Sequence, residues 1–102
     1  MTAKDYLSAL PSKINPDDIK DIATVIHFDL KDEQYTIEVK DGAASFKEGI
    51  EGDPEVVISA KPDDFAKVAS GETNPMMAMM MGKLKISNPA AMMKYAKLLG
   101  LM

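Results

Sequence analysis

Few side chains in this sequence have the type and spacing that acid–base, nucleophilic or metal chemistry requires. His27 is the single histidine, and it lies in an alternating segment on the side opposite Ile26 and Phe28, where a packing role is the simpler interpretation. The chain has no cysteine, so it has neither a thiolate nucleophile nor a cysteine-ligated zinc site. The sequence therefore predicts no catalytic residue, no metal site and no cofactor.

Two pairs of adjacent carboxylates, Asp17-Asp18 and Asp63-Asp64, are the other candidates for such chemistry. Each pair directly follows a proline at a predicted helix start. Acidic side chains in a first turn stabilise the positive end of the helix dipole, which explains both pairs without a metal ion. The six glycines are isolated from one another, so there is no glycine-rich phosphate loop.

The unusual chemistry is that of methionine. Seven of the nine methionines form two clusters, the first consisting of Met76, Met77, Met79, Met80 and Met81, and the second of Met92 and Met93. A helix over the first cluster is apolar almost all round, so it must be buried on most sides or face an apolar partner that is not protein. Because methionine is unbranched and soft, the clusters indicate either ordinary core or the adaptable wall of a cavity.

The periodicity of the chain predicts the elements that would position these clusters. Apolar residues alternate in the strand segments and recur every three or four residues in the helical ones, and Asn-Pro pairs mark three helix starts. The order predicts an α+β domain with helices on one face of a largely antiparallel, five-stranded sheet. The predicted helices cover 2–10, 16–22, 62–70, 75–82 and 89–99, and the predicted strands cover 24–30, 35–39, 44–48, 55–60 and 83–87.

Composition narrows the classes of partner. A net charge of −4 and the absence of arginine argue against a nucleic-acid binder. The longest apolar run, Met76 to Met81, is far too short to span a bilayer, and the first residues lack the apolar stretch of a signal peptide. We therefore expect one domain over residues 1–102, located in the cytoplasm.

A set of motifs across the second half of the chain resembles the sterol carrier protein 2 family of lipid-transfer domains. The motifs are Gly71, the Asn74-Pro75 helix start, and Gly82-Lys83-Leu84-Lys85-Ile86. The resemblance extends over roughly residues 20–100. It implies a five-stranded sheet covered by helices, with an apolar tunnel between the layers for a fatty acid, acyl-CoA, phospholipid or sterol-like lipid.

The same resemblance implies which side chains line the tunnel. Where many members of the family have glutamine before the Gly-Lys-Leu-Lys motif, this chain has Met81, which implies a more apolar tunnel. The implied lipid-binding residues are Ile26, Phe28, Phe65, Met76, Met77, Met79, Met80, Met81, Leu84, Ile86, Met92, Met93, Tyr95 and Leu98.

The favoured hypothesis is therefore non-catalytic binding and transfer of a long apolar ligand, with transient membrane contact and movement of the last helix, whose Lys94 and Lys97 face outward. Two alternatives stay open: a groove that binds the amphipathic helix of a partner protein, and an accessory domain of a lipid-handling enzyme. On the favoured hypothesis, Met80→Arg is expected to abolish lipid binding by placing an unpaired charge in the tunnel.

Overall fold

A computed structural model of the chain describes residues 2–96. It confirms the predicted α+β class and the predicted order of strands and later helices. The helices are α1 (Ala3–Lys13), α2 (Pro16–Ile19), α3 (Pro62–Ala69), α4 (Pro75–Met80) and α5 (Pro89–Ala96), and the strands are β1 (Thr24–Leu30), β2 (Glu33–Lys40), β3 (Ala43–Glu48), β4 (Val56–Ala60) and β5 (Leu84–Ile86).

The three Asn-Pro pairs start helices as the sequence predicts. At Asn15, Asn74 and Asn88, the side-chain Oδ1 accepts a hydrogen bond from a backbone N–H of the first turn, at 2.8–3.2 Å. The proline that follows loses nothing, because the first N–H of a helix has no partner within the helix. These caps fix where α2, α4 and α5 begin.

The first two helices differ in length from the prediction. Helix α1 does not end at Pro11 but continues to Lys13, with Pro11 half-buried inside it. The reason is packing: Tyr6, Leu7 and Leu10 are buried at helical spacing, and their burial outweighs the single backbone hydrogen bond that proline removes. Helix α2 is a single turn that ends at Ile19 rather than at Ile22.

The five strands form one mixed sheet with the order β3-β2-β1-β4-β5. Three of the four neighbouring pairs are antiparallel, and the central β1–β4 pair is parallel, with Ile26 opposite Val56 and Phe28 opposite Ile58. A parallel pair of strands cannot be joined by a tight turn. The chain between β3 and β4 must therefore cross over one face of the sheet to reach its place beside β1.

One face of the sheet is apolar and is covered by the helices. Ile26, Phe28 and Leu30 of β1 are at most 1% exposed, and alternate residues of β2 and β4 share this face. Phe65 of α3 packs edge-on against Phe28, with ring centroids 5.5 Å apart, and against Tyr6 of α1 at 6.2 Å. These aromatic contacts fill the centre of the layer between sheet and helices.

The crossover, residues 49–55, lies on the opposite, polar face. Thr36 of β2 holds it with two hydrogen bonds: the hydroxyl donates to the Gly49 carbonyl at 2.8 Å and accepts from the Glu51 N–H at 3.1 Å. His27 of β1 lies beneath it, with Nε2 3.0 Å from the Glu51 carbonyl oxygen. The buried polar residues of this face are therefore paired with the backbone that covers them.

Thr36→Val tests this attachment, because valine keeps the shape of threonine and removes both hydrogen bonds. We expect the free energy of unfolding to fall by about 1–3 kcal/mol, since the Gly49 carbonyl and the Glu51 N–H lose their partner. Urea denaturation measures the change. Thr73→Val is the matched control, because the Thr73 hydroxyl makes no hydrogen bond with another described residue, and an equal loss in both variants would contradict the assignment.

Candidate functional site

The first methionine cluster is positioned by the two ends of α4. Asn74 caps its start, and Gly82 follows its last turn with φ of +75°, a conformation that residues with a side chain rarely adopt. The Lys83 N–H donates to the Ala78 carbonyl and the Gly82 N–H to the Met79 carbonyl, the paired hydrogen bonds of a Schellman motif. The chain leaves this motif directly into β5.

The six residues of α4 divide into an inner and an outer side. Ala78 is buried and Met79 is half-buried against the core. The outer side carries Met76, Met77 and Met80, joined by Met81 at the helix end, with exposed fractions between 58% and 85%. Methionine side chains therefore lie on both sides of α4, although only the inner side packs against other described residues.

An apolar cavity of about 410 Å³ lies where α4 and α5 meet the β4–β5 edge of the sheet. We call it the methionine cavity. Its inner wall is formed by buried and half-buried side chains, namely Ile58, Pro75, Met79, Leu84, Ile86 and Met92. Its solvent-exposed rim is formed by Asn74, Met76, Pro89 and Met93. The size falls within the range of small-molecule sites, about 300–1,000 Å³.

Two other cavities of the structure have a different chemistry. One, of about 400 Å³, lies beside the end of the crossover and includes Glu38, Lys40 and Glu55 in its lining. The other, of about 750 Å³, lies around Lys83 and Lys85 and is lined mainly by lysines and aspartates. No charged residue lines the methionine cavity, so it is the one suited to a hydrocarbon chain.

A hydrogen-bonded contact ties α5 to the start of β1 and to Glu55 just before β4, where Thr24 and Glu55 also line the cavity of about 400 Å³. The Tyr95 hydroxyl donates to Oε1 of Glu55 at 2.8 Å, and the Thr24 hydroxyl donates to the same oxygen at 2.7 Å. Tyr95 is buried but does not line the cavity, while Met92 and Met93 of the same helix do. This Tyr95 contact therefore anchors α5 without closing the rim.

The Tyr95 contact also shifts the acid–base equilibria of its members. Hydrogen bonds from Thr24 and then Tyr95 hold the pKa of the Glu55 carboxyl below its usual value of 4.5. Burial, and next the hydrogen bond to Glu55, raise the pKa of the Tyr95 hydroxyl above its usual value of 10.0. Both shifts favour the form in which a tyrosine O–H donates to a carboxylate.

Six of the fourteen side chains that the resemblance implies line the methionine cavity: Met76, Met79, Leu84, Ile86, Met92 and Met93. Three others, Ile26, Phe28 and Phe65, are buried in the packed centre of the core. Met77, Met80 and Met81 lie on the outer side of α4, and Tyr95 makes the contact described above. Leu98 lies outside the described residues. The cavity thus occupies only the β4–β5 side of the layer in which the tunnel is expected.

Four lining residues were not among the implied ones: Ile58, Asn74, Pro75 and Pro89. Ile58 shares the alternating pattern of β4 with Val56, which was a usable signal for the apolar face. The two prolines and Asn74 carry a strong signal for helix starts, and that signal gives no indication that the same residues also border a cavity.

His27, the single histidine of the sequence, lies under the crossover and not at the methionine cavity. Among residues 2–96, no group of three or more histidine or carboxylate side chains is placed to bind a metal ion. In the same range, every helix is too short or too polar to cross a membrane.

Tyr95→Phe isolates the Tyr95 contact, because it removes one hydroxyl and keeps the ring. We expect the amides of α5 to exchange hydrogen roughly fivefold faster at neutral pH, corresponding to a hydrogen bond of about 1 kcal/mol. Tyr35→Phe is the matched control, since Tyr35 is a buried tyrosine that donates to a different carboxylate, Glu33, at 2.6 Å. Equal exchange of α5 in wild type and Tyr95→Phe would contradict the anchoring role.

The contact also predicts a pH dependence. Because the pKa of Glu55 is lower in the folded state, its stabilisation is present above 4.5 and is lost as the pH falls through the folded-state value. Because the pKa of Tyr95 is raised, its stabilisation is present below 10.0 and is lost as the pH rises through the folded-state value. The stability difference between wild type and Tyr95→Phe is thus expected to be flat between these limits and to shrink on both sides.

Known proteins are similar to this chain in sequence and in fold. The chain is 35% identical over 94 residues to hydroxysteroid dehydrogenase-like protein 2 of Bos taurus, which covers 87% of this chain and 22% of that protein. It superposes with a TM-score of 0.80 on the sec-alkylsulfatase Pisa1 from Pseudomonas sp., at 13% identity, over 100% of this chain and 16% of the other. It also superposes on palmitated SCP2L2 from Aedes aegypti, with a TM-score of 0.73 and 15% identity, over 97% and 95% of the two chains.

The chain therefore spans about a fifth of the bovine relative and about a sixth of the sulfatase. Over residues 3–100 it matches the SCP-2 sterol transfer family, and it belongs to that family.

Proposed function

We propose that this chain binds a long apolar ligand in the methionine cavity and transfers it without chemical change. The observation that carries the proposal is an uncharged cavity of about 410 Å³, walled by methionines of both clusters at a place where the helices within residues 2–96 leave a gap over the sheet. The ligand class is a fatty acid, acyl-CoA, phospholipid or sterol-like lipid. Membership of the family supports this class, and the palmitated state of the similar Aedes aegypti protein is consistent with it.

The position of the polar group in the rim suggests how such a ligand lies. Asn74 is the single polar residue of the lining and is exposed, while the inner wall is entirely apolar. Its Oδ1 already accepts the Met76 N–H, which leaves its amide N–H groups as donors. We infer that the hydrocarbon tail enters first and that the polar head group stays at the rim beside Asn74.

Burial of the tail supplies the driving force for binding. Each methylene transferred from water to an apolar site contributes about 0.8 kcal/mol, so ten methylenes contribute roughly 8 kcal/mol before the cost of ordering the ligand. A free energy near that value corresponds to a micromolar dissociation constant. Soft thioether walls fit ligands of differing shape better than branched side chains do.

Uptake and release require the cavity to widen. We propose that the tunnel predicted from the resemblance is the methionine cavity after α5 has moved away from β4 and β5, and that brief contact with a membrane promotes this movement. The Tyr95 contact is the restraint on α5, so Tyr95→Phe is expected to release bound palmitate faster than wild type does. A cross-link between α5 and β5 that leaves the release rate unchanged would contradict movement of this helix.

A second candidate function is supported by the lengths of the relatives. In the bovine dehydrogenase-like protein and the Pseudomonas sulfatase, the matching region is a small part of a longer chain. As a second candidate, we propose that this chain is an accessory domain that presents apolar ligands to a lipid-handling enzyme. The cytoplasm is our proposed location, for which the lack of cysteine is the supporting feature.

Met79→Glu and Met80→Glu test the binding site as a matched pair. The two residues are neighbours in α4, but Met79 lines the cavity and Met80 is 85% exposed outside it. We expect Met79→Glu to weaken palmitate binding roughly tenfold or more, because it places a charge in the apolar cavity. We expect Met80→Glu to bind as wild type does in calorimetric titration. For the same reason, Met80→Arg is now expected to retain lipid binding, contrary to the expectation from the sequence.

If Met79→Glu does not fold, Ile86→Trp fills the same cavity from the strand side without adding charge. Equal affinities of both glutamate variants, or no palmitate binding by wild type that has first been stripped of copurified lipid, would reject the proposed site. Native mass spectrometry of freshly purified protein checks independently for a bound lipid.

A further inference from the structure

The outer side of α4 is an apolar surface without a partner in the described part of the chain. Met76, Met77, Met80 and Met81 expose their thioether side chains there, and Met80 is 85% exposed. None of the six residues of α4 has a polar side chain. A contiguous apolar surface of this kind usually marks an interaction site.

Five lysines surround the groove next to the C-terminal end of α4. The groove has a volume of about 750 Å³ and extends from Gly82 along β5 to the start of α3 and the β1–β2 turn. Its lysines are Lys31, Lys61, Lys67, Lys83 and Lys85.

The positive charge of this groove is only partly neutralised by the acidic residues of its lining. Three aspartates also line it, which leaves a local excess of two positive charges on a chain whose net charge is −4. The two ion pairs formed by residues 2–96 join Lys4 to Glu48 and Lys47 to Glu51, so neither uses a lysine of the groove. These lysines are therefore available to an external anion.

Helix α4 connects the two surfaces to the methionine cavity. Its first turn contributes Met76 to the cavity rim, and Gly82, just beyond its last turn, borders the lysine groove. Six residues of α-helix span only about 9 Å. The cavity rim and the border of the lysine groove at Gly82 and Lys83 are thus about one helix length apart along α4.

We propose that α4 and the lysine groove together form a docking surface for a membrane that contains anionic lipids. The methionines enter the interface between head groups and acyl chains, and the lysines face the lipid phosphates. A second copy of the chain is a poor occupant, because it would bring like-charged grooves together. The proposal rests on the proposed membrane contact, but docking is independent of what the cavity holds, so the two are tested separately.

The test measures co-sedimentation of the ligand-free protein with vesicles of phosphatidylcholine, either alone or mixed with phosphatidylserine. We expect wild type to bind the mixed vesicles and to dissociate at high salt, since the lysine contribution is screened. Met80→Glu is expected to weaken vesicle binding roughly tenfold or more while its palmitate affinity stays that of wild type. Met79→Glu is expected to show the reverse.

The charge contribution is tested with two lysine reversals. Lys83→Glu is expected to weaken binding to phosphatidylserine vesicles roughly tenfold. Lys40→Glu is the matched control, because it makes the same change in net charge outside the groove. Lys40 is the last residue of β2, whereas the β1–β2 turn near the groove precedes the first. The control is expected to bind nearly as wild type does.

Three outcomes would overturn the docking surface: no binding of wild type to phosphatidylserine vesicles, equal loss in Lys40→Glu and Lys83→Glu, or unchanged binding in Met80→Glu. If wild type does not bind vesicles but does bind an identified protein, and Met80→Glu abolishes that binding, the partner of this surface is a protein and the proposal fails. None of these outcomes affects palmitate binding in the cavity, whose failure would instead reject the proposed function.

Discussion

The structure depends on how the apolar face of its sheet is covered. Over β1 the cover is close, because Phe65 packs edge-on against both Phe28 of the strand and Tyr6 of α1, and Ile26, Phe28 and Leu30 are at most 1% exposed. Over β4 and β5 the described cover consists of the six-residue α4 and of α5, which bury Ile58 and Leu84 but leave the methionine cavity between helices and sheet. The centre of this layer is therefore closely packed, while its β4–β5 edge contains the methionine cavity.

Local signals in the sequence were enough to predict most of the elements. The Asn-Pro pairs begin helices, Gly71 and Gly82 follow helix ends, and period-two alternation marks the strands, because each of these signals acts through contacts within a few residues. Pro11 was misleading because its local preference was opposed by burial of Leu7 and Leu10, a tertiary effect that the segment alone does not contain.

The site was less predictable than the fold. A helix made almost entirely of methionine has no amphipathic pattern, so the sequence does not distinguish Met79, which lines the cavity, from Met80, which faces away. Phe28 and Phe65 are of the right type for a lipid site, and in the described structure they pack edge-on against each other in the core. Which apolar residues leave space is a property of the packed layers and not of any one segment.

The exposed thioethers of α4 have one more consequence. A solvent-accessible methionine is readily oxidised to its sulfoxide, which is polar and chiral, and dedicated reductases can reverse the change. Met80 and its exposed neighbours are open to such oxidants, whereas Ala78 on the inner side of α4 is buried and has no sulfur to oxidise. Oxidative conditions would therefore convert the outer side of α4 from apolar to polar, and the redox state of the surroundings becomes a variable of this surface.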